Sequence, residues 1–409
     1  MPDSIYDVLL ERGFIEQVTN EEEVRDYLAK PGATFYVGFD PTADSLHVGH
    51  FVQMMAMAHL QRAGHRPIAL LGGGTGMIGD PSDRTDMRKL MNIETIRHNV
   101  ESFKKQMGIL LDFSEGRALM LDNAEWLIPL NYIEFIREIG SQFSVNRMLT
   151  AESYKQRLER GLTFLEFNYM LLQAYDFLEL YRRHDCKLQI GGNDQWSNII
   201  AGADLIRRKE RGQAWGLTLA LLTNAAGEKM GKTVGGAVWL DADKFKPFDF
   251  YQYWRNIDDA DVIRCLKLLT FIPMEQINEY AKLEGQGLNK VKEILAFEIT
   301  KTVHGEKSAN EAYKSAKAIF SGAGMAENMP EVILTNADRQ TPLLELLTEA
   351  KIIPSKSEGR RLMAQGGLYL NDEPVTDYDY VLKDADLTDG AAIVRKGKKR
   401  YYRLFFNEG

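Results

Sequence analysis

A chain of 409 residues is too long for one ordinary core, so two or three domains are expected. With 44% hydrophobic and 26% charged residues the composition is that of a globular enzyme; no apolar run is long enough to span a bilayer, and the acidic opening MPDSIYDVLLERG lacks a signal-peptide core. Two cysteines, Cys186 and Cys265, exclude a disulfide framework or a cysteine zinc cluster and fit a reducing cytoplasm, while a net charge of −8 means that any nucleic acid must be met by local basic patches.

Residues 1–33 read as a helical lead-in: Ser4 is placed to cap a first helix, and Asn20-Glu21-Glu22-Glu23 gives the acidic first turn of a second. Thr34 to Phe39 is a β-branched and aromatic run, the pattern of a strand. A loop from Asp40 to Leu46 leads into His47-Val48-Gly49-His50; Phe51 to Ala63 is then apolar at helical spacing and ends at Gly64, suited to a C-terminal cap. Ile68 to Leu71 follows as a buried strand. The two histidines thus stand where a loop becomes a helix. Helix N-termini carry unpaired N–H groups and partial positive charge, and they attract phosphate. Gly49 lets a ligand approach the backbone, His47 and His50 add side-chain donors, and Thr42 adds a hydroxyl. The plainer alternative, one histidine capping and the other solvated, is weakened by having two of them around a glycine.

Gly74 to Gly79 formally matches the G-x-G-x-x-G fingerprint. A dinucleotide site is rejected, because that fingerprint belongs in the first strand–helix turn and needs a following strand that ends in an acidic residue. Here Asp80-Pro81-Ser82 opens a polar stretch of helical character toward Lys105, and the glycines are expected to permit close approach of a ligand. Ala118 to Leu121 reads as a strand before Asp122-Asn123-Ala124-Glu125-Trp126. From Asn168 to Leu178, Tyr169, Gln173 and Asp176 share one helix face while Met170, Leu171, Leu172, Ala174, Phe177 and Leu178 fill the others. A buried polar stripe is costly unless partnered, so this one is expected to line a pocket. The strand Lys187 to Ile190, which includes Gln189, runs into Gly191-Gly192-Asn193-Asp194-Gln195, again with glycines at a strand end.

Arg207-Arg208-Lys209 is a basic cluster on an amphipathic helix. In Lys229-Met230-Gly231-Lys232-Thr233, two lysines on a flexible loop are suited to phosphate oxyanions. Lys246 to Gly322 is helical in pattern, and Ser321 to Asp338 has the composition of a linker. Beyond Thr341 come a Leu-rich helix, a second helix with Arg360 and Arg361, and a hairpin from Gly366 to Pro374. Residues 342–409 hold 11 Lys/Arg and 11 Asp/Glu, so this segment is neutral, with its positive charge gathered at Arg360-Arg361 and from Arg395 to Arg400. Clustered charge beside Tyr401 and Tyr402 suits a phosphate backbone with stacked bases.

His47-Val48-Gly49-His50 is similar to the HIGH signature of class I aminoacyl-tRNA synthetases. Lys229 to Thr233 resembles their KMSKS signature, with Gly231 and Thr233 in place of serines. The longer string from Tyr36 to His50 looks like that of bacterial tyrosyl-tRNA synthetases, and the end of the chain looks like an S4 RNA-binding domain. The resemblance covers essentially the whole chain. It implies an α/β fold with a Rossmann-like catalytic domain at 1–245, a helical anticodon-side domain at 246–322, a linker at 323–340 and a small α+β S4-type domain at 341–409. The implied reaction activates L-tyrosine with ATP to tyrosyl-adenylate and pyrophosphate, then moves tyrosine to the 3′ end of tRNA(Tyr).

Residue by residue, the resemblance puts Asp80, Tyr169 and Gln173 at the substrate ammonium, Tyr36 and Asp176 at its phenol, and Gln189 and Gln195 near the amino acid or its carboxylate. It puts Gly38, Asp40, Gly49, Gly192, Asp194 and Lys232 at ATP, with Asp194 on the ribose, and Arg84 and Arg88 near the pyrophosphate. Thr42, His47, His50, Lys229, Lys232 and Thr233 are implied to act by positioning and charge stabilisation, with no side-chain nucleophile. Arg207, Arg208, Arg360, Arg361, Lys398 and Lys399 are implied tRNA contacts. Mg²⁺ is expected to accompany ATP without a protein-ligated metal. A cytoplasmic homodimer is implied, with Phe164 an interface aromatic. The Tyr36 and Asp176 pair argues against the tryptophanyl relative, the RNA module against a nucleotidylyltransferase, and the intact site against a non-catalytic RNA-binding paralogue.

Overall fold

The computed structural model describes residues 4–80, 91–158, 161–233, 236–321, 330–334, 340–371, 373–387, 390–397 and 400–406. Packing gathers them into two units, Met1–Lys246 with Ile257–Gly305, and Pro247–Asn256 with Glu306–Gly409. No helix among the described residues is long and apolar enough to cross a membrane.

The first unit is built on a six-stranded sheet: β1 (Ile15–Val18), β2 (Thr34–Phe39), β3 (Arg66–Leu71), β4 (Leu119–Asp122), β5 (Leu188–Gly192) and β6 (Trp215–Leu219), in the order β1-β6-β5-β2-β3-β4. All neighbours are parallel except the antiparallel edge strand β1. Strands covered on both faces read as near-continuous apolar runs, which is what β2 and β3 show. β2 lies inside the sheet, and its register sets Tyr36 between Ile68 of β3 and Gln189 of β5. In open α/β sheets, ligands bind in the crevice at the carboxyl ends of such strands. Two small strands, β7 (Lys232–Thr233) and β8 (Gly236–Ala237), form a separate hairpin.

Four helices matter for the site: α1 (Val48–Arg62), α2 (Ile93–Met107), α3 (Tyr169–His184) and α4 (Trp196–Glu210). α1 ends as expected, with Gly64 at φ 89 after the last turn. α3 ends on Asp185, which takes a left-handed conformation that aspartate tolerates. Ser4 and Asn20 cap their helices as expected, yet β1 lies between them, so the lead-in is not wholly helical.

The stretch 246–322 is helical, but packing divides it. Pro247–Arg255 belongs with the second unit, whereas the helices Val262–Leu269 and Met274–Tyr280 belong with the first. The long helix Gln286–Ser321 breaks at Gly305 (φ 84, ψ 161), where the first unit ends. Arg12, only 4% exposed, donates to the carbonyls of Lys267 and Thr270 at 2.9 Å and so satisfies the end of Val262–Leu269.

The second unit contains a five-stranded sheet of β9 (Glu331–Leu334), β10 (Leu368–Leu370), β11 (Glu373–Pro374), β12 (Ala391–Lys396) and β13 (Arg400–Phe406), ordered β11-β10-β12-β13-β9. β9 pairs in parallel with β13, so the stretch 323–340 contributes a strand to this sheet instead of serving wholly as a linker. The helices Leu343–Glu349 and Lys356–Ala364 cover one face through Leu343, Leu347, Ile353 and Met363 packed against Val394 and Leu404.

Candidate active site

The polar stripe of α3 faces inward, with Tyr169 and Asp176 buried and Gln173 half-buried. Asp176 is 2% exposed; its two carboxylate oxygens accept from Trp126 Nε1 at 2.7 Å and Asn123 Nδ2 at 2.9 Å. Burial pushes its carboxyl up to about 7; the two donated hydrogen bonds pull the other way, and the nearby Asp40 and Asp122 add to the rise. Tyr36, 1% exposed, has a hydroxyl buried without a partner, held above its usual range by burial and by Asp176. The side-chain oxygens of Gln173 and Gln189 are likewise buried without partners. Native interiors leave few such atoms unpaired, so each of these oxygens is a place where a polar group of another molecule can be accommodated. Tyr169 donates to Asp40 at 3.2 Å, and Gln195 Nε2 donates to Asp80 at 2.7 Å and Asp194 at 2.9 Å. Burial raises the Asp194 carboxyl, the Gln195 bond lowers it, and Asp80 raises it further.

At the start of α1 both histidines act locally. His47 Nδ1 accepts from the Gly49 N–H at 3.0 Å, and His50 Nδ1 accepts from the His47 N–H at 3.2 Å, a reciprocal capping box. The Val48 N–H is taken by the Val238 carbonyl at 3.0 Å. The first-turn N–H groups, expected to be open to phosphate, are therefore engaged. What the arrangement presents is the Nε2 edge of two stacked imidazoles, their centroids 4.0 Å apart. Burial lowers the pKa of His50 well below the usual range, with His47 second, which keeps that ring neutral with its proton on Nε2. Thr42 is exposed on the loop before them.

Several glycines answer to the protein's own side chains. A Cβ at Gly73 would lie 2.2 Å from Asp122 Oδ1, at Gly72 2.5 Å from Asp40 Oδ1, at Gly49 2.8 Å from the His47 ring and at Gly192 2.5 Å from Asp194 Oδ1. The Gly74 N–H is held by Asn123 Oδ1 at 2.7 Å. Close approach was the expectation at each; the approaching group is internal. Gly38 differs: it is exposed in the middle of β2, and a Cβ there would meet nothing within 4 Å.

The known proteins that resemble this chain fit that geometry. The family tRNA synthetases class I (W and Y) matches residues 29–321, and the Tyrosine--tRNA ligase SYY-like C-terminal domain matches residues 323–404. The tyrosine--tRNA ligase of Clostridium botulinum is 58% identical over 402 residues, covering 98% of this chain and 99% of that protein. This chain belongs to the tyrosine--tRNA ligase family. A further family member, from Caldanaerobacter subterraneus subsp. tengcongensis, is 59% identical over 405 residues, covering 99% of this chain and all (100%) of that one. A C-terminally truncated mitochondrial tyrosyl-tRNA synthetase of Aspergillus nidulans superposes with a TM-score of 0.70 at 27% identity, covering 78% of this chain and 94% of that one.

The second family signature lies against the first. Gly231 takes φ 89, and a Cβ there would stand 3.1 Å from Val48 Cβ, so a serine at this place would be strained. Its carbonyl accepts from Val238 N at 2.8 Å, and the Val238 carbonyl accepts from Val48. Lys229 is exposed and its backbone bridges to Thr223; Lys232 and Thr233 form β7. Arg84, Arg88, Lys398 and Lys399 lie outside the described residues, as do the side chains of Lys232 and Thr233.

Among the expected tRNA contacts, Arg207 pairs with Asp204 at 3.2 Å, and Arg208 reaches Asp204 and the Gln142 carbonyl. Arg361 pairs with Glu358 at 2.8 Å, while Arg360 lies over the Tyr378 ring at 5.9 Å. Sequence reasoning missed Asn123 and Trp126, which hold Asp176. The available signal was a polar pair, Asp122-Asn123, placed directly after a strand that the sheet order makes parallel.

Proposed function

We propose that the chain joins L-tyrosine to tRNA(Tyr) in two steps. The observation that carries the reading is the buried Tyr36 hydroxyl beside the buried Asp176 carboxylate. A phenol O–H donates to Asp176 and accepts from Tyr36, so the Tyr36 hydroxyl gains the partner it lacks and the carboxylate gains a third donor; phenylalanine would leave the Tyr36 hydroxyl unpaired. Sites built to hydrogen-bond a substrate hydroxyl discriminate strongly against the analogue lacking it, because their own buried polar groups are then left unpaired. Asp80, Tyr169 and Gln173 receive the ammonium, and Gln189 and Gln195 lie toward the carboxylate.

In activation, the tyrosine carboxylate oxygen attacks the α-phosphorus of ATP. The bond to the bridging oxygen breaks, and pyrophosphate leaves with that electron pair. The Nε2–H groups of His47 and His50, the Thr42 hydroxyl and the ammoniums of Lys229 and Lys232 meet charge that builds on the phosphate oxygens, with Thr233 beside them. Gly38, Asp40, Gly49, Gly192 and Asp194 border the nucleotide, and Mg²⁺ enters as part of the MgATP substrate. A tRNA 3′-terminal hydroxyl then attacks the acyl carbon and AMP departs.

Arg207 and Arg208 serve the acceptor arm, and Arg360, Arg361, Lys398 and Lys399 the rest of the tRNA. A homodimer is supported by large apolar side chains left exposed, among them Ile128, Tyr132, Ile133, Val145 and Phe164, the last 68% exposed. The compartment is the cytoplasm. Pyrophosphate exchange into ATP, measured with each of the twenty amino acids, tests the reading. Exchange with tyrosine and not with phenylalanine or tryptophan is expected; exchange with another amino acid, or with none, overturns it.

A further inference from the structure

The lysine loop is gripped from outside by a residue that the reaction scheme does not use. Residues 222–230 fold back on themselves: Met230 N donates to the Leu222 carbonyl at 2.9 Å, Thr223 and Lys229 bridge, and Asn224 N donates to the Glu228 carbonyl at 2.8 Å. Asn224 Oδ1 closes the tip by accepting from Ala226 N at 3.1 Å and Glu228 N at 2.8 Å. One arm of this fold is held by Arg264, from the helix Val262–Leu269. Its Nη2 donates to the Leu221 carbonyl at 2.8 Å, and its Nη1 donates to Thr223 Oγ1 at 2.9 Å and more weakly to the Thr223 carbonyl at 3.4 Å. The other arm carries Lys229, then Met230, whose sulfur lies 4.0 Å from the sulfur of buried Cys265. Beyond it, Gly231 joins Val238, which joins Val48 in the first turn of α1.

Hydrogen bonds, linked through adjacent residues of the chain, therefore connect the Arg264 side chain through the lysine arm to the histidine turn. We infer that Arg264 is a positioning residue for tyrosine activation: its two-armed grip on Leu221 and Thr223 fixes the register of the hairpin, and with it the place of Lys229. This rests on the proposed role of Lys229 in phosphate stabilisation. The grip needs a fork. A guanidinium reaches both acceptors at once from a fixed plane, whereas an ammonium delivers a point charge to one. Small misplacement of a charge-stabilising group is costly in rate, because the transition state is served only at the right position.

The test uses the full chain and its Arg264→Ala, Arg264→Lys, Thr223→Val and Arg264→Ala/Thr223→Val variants, with Lys229→Ala run alongside. Single-turnover adenylate formation is measured against MgATP concentration, and tyrosine Kd by equilibrium dialysis. Arg264→Ala is expected to slow adenylate formation about 10- to 100-fold with tyrosine Kd unchanged. Arg264→Lys is expected to stay close to Arg264→Ala. The double variant is expected to be no slower than Arg264→Ala, because both changes release one contact. A wild-type rate in Arg264→Ala, full recovery by lysine, additive losses, or a tyrosine Kd that rises as far as the rate falls each overturn the inference. If Lys229→Ala itself activates at the wild-type rate, the proposed role of the lysine is what fails. A slow Lys229→Ala beside a fast Arg264→Ala isolates failure of the clamp.

Discussion

The recess around Tyr36 and Asp176 and the surface around His47, His50 and Lys229 lie at the same end of one sheet, but they are built on opposite terms. The recess is buried, and the Tyr36 hydroxyl and the Gln173 and Gln189 side-chain oxygens lack partners there. The Asp176 carboxylate is held by Asn123 and Trp126. The histidine turn is half-open, and its N–H groups are already used among themselves and by Val238. The first arrangement gains when a molecule with matching polar groups enters, which is ground-state recognition. The second gains little until charge develops near the imidazole and lysine donors, which is transition-state recognition. One enzyme can therefore tune selectivity and rate on separate residues.

The contrast is broken most severely on the phosphate side. Lys232→Ala is expected to slow adenylate formation about 100-fold or more, as for loss of one preorganised donor, while tyrosine affinity stays near wild type; rapid-quench kinetics beside equilibrium dialysis measure both. Removing the chain beyond about Asn336 sharpens it in another way. A chain stopped near Asn336 is expected to keep tyrosine-dependent pyrophosphate exchange and to lose most tRNA charging. Exchange and aminoacylation on one preparation decide this: equal loss of both would contradict it.

On the recess side the effects are smaller. Tyr36→Phe is expected to narrow the preference for tyrosine over phenylalanine by about threefold to tenfold, the worth of one neutral hydrogen bond, through tyrosine alone. Parallel loss for both amino acids in exchange kinetics would contradict the phenol contact. A graded effect is expected in pH. Asp176, pushed up to about 7 by burial, takes a proton as pH falls through that value, whereas the phenol needs the carboxylate as acceptor. Tyrosine affinity should therefore fall as pH drops below about 7, approaching about tenfold per pH unit. The same group lies above its unfolded value of about 4. The folded state thus holds more protons from about 4 to about 7, and this carboxyl makes folding less favourable as pH rises across that window. A tyrosine affinity that is flat from pH 8 to 5.5 would contradict the carboxylate's role.

Much of this was legible in the residues because local chemistry and fold agree. β2, α1 and its Gly64 stop follow from patterning, and the stripe Tyr169, Gln173, Asp176 follows from helix geometry. What escaped depended on distant partners. β1 is four residues that become a strand only beside β6, and β9 sits in a stretch of linker composition and becomes a strand only beside β13. At the glycines at 49, 72 and 73, sequence cannot reveal that an added Cβ would run into His47, Asp40 and Asp122. Asn123 and Trp126 lie about fifty positions from Asp176 (|i−j| 53 and 50), so only the sheet order brings them to it.

His47 joins both halves of the account, because its ring caps α1 and also presents Nε2. His47→Asn keeps a side chain that caps helices well and removes the imidazole edge. The direct measurement is tyrosine Kd and single-turnover adenylate formation on this variant, with thermal unfolding as the control for the cap. Unchanged stability, unchanged tyrosine Kd and a rate reduced about tenfold or more are predicted. A tyrosine affinity that falls as far as the rate would contradict the separation of recognition from rate.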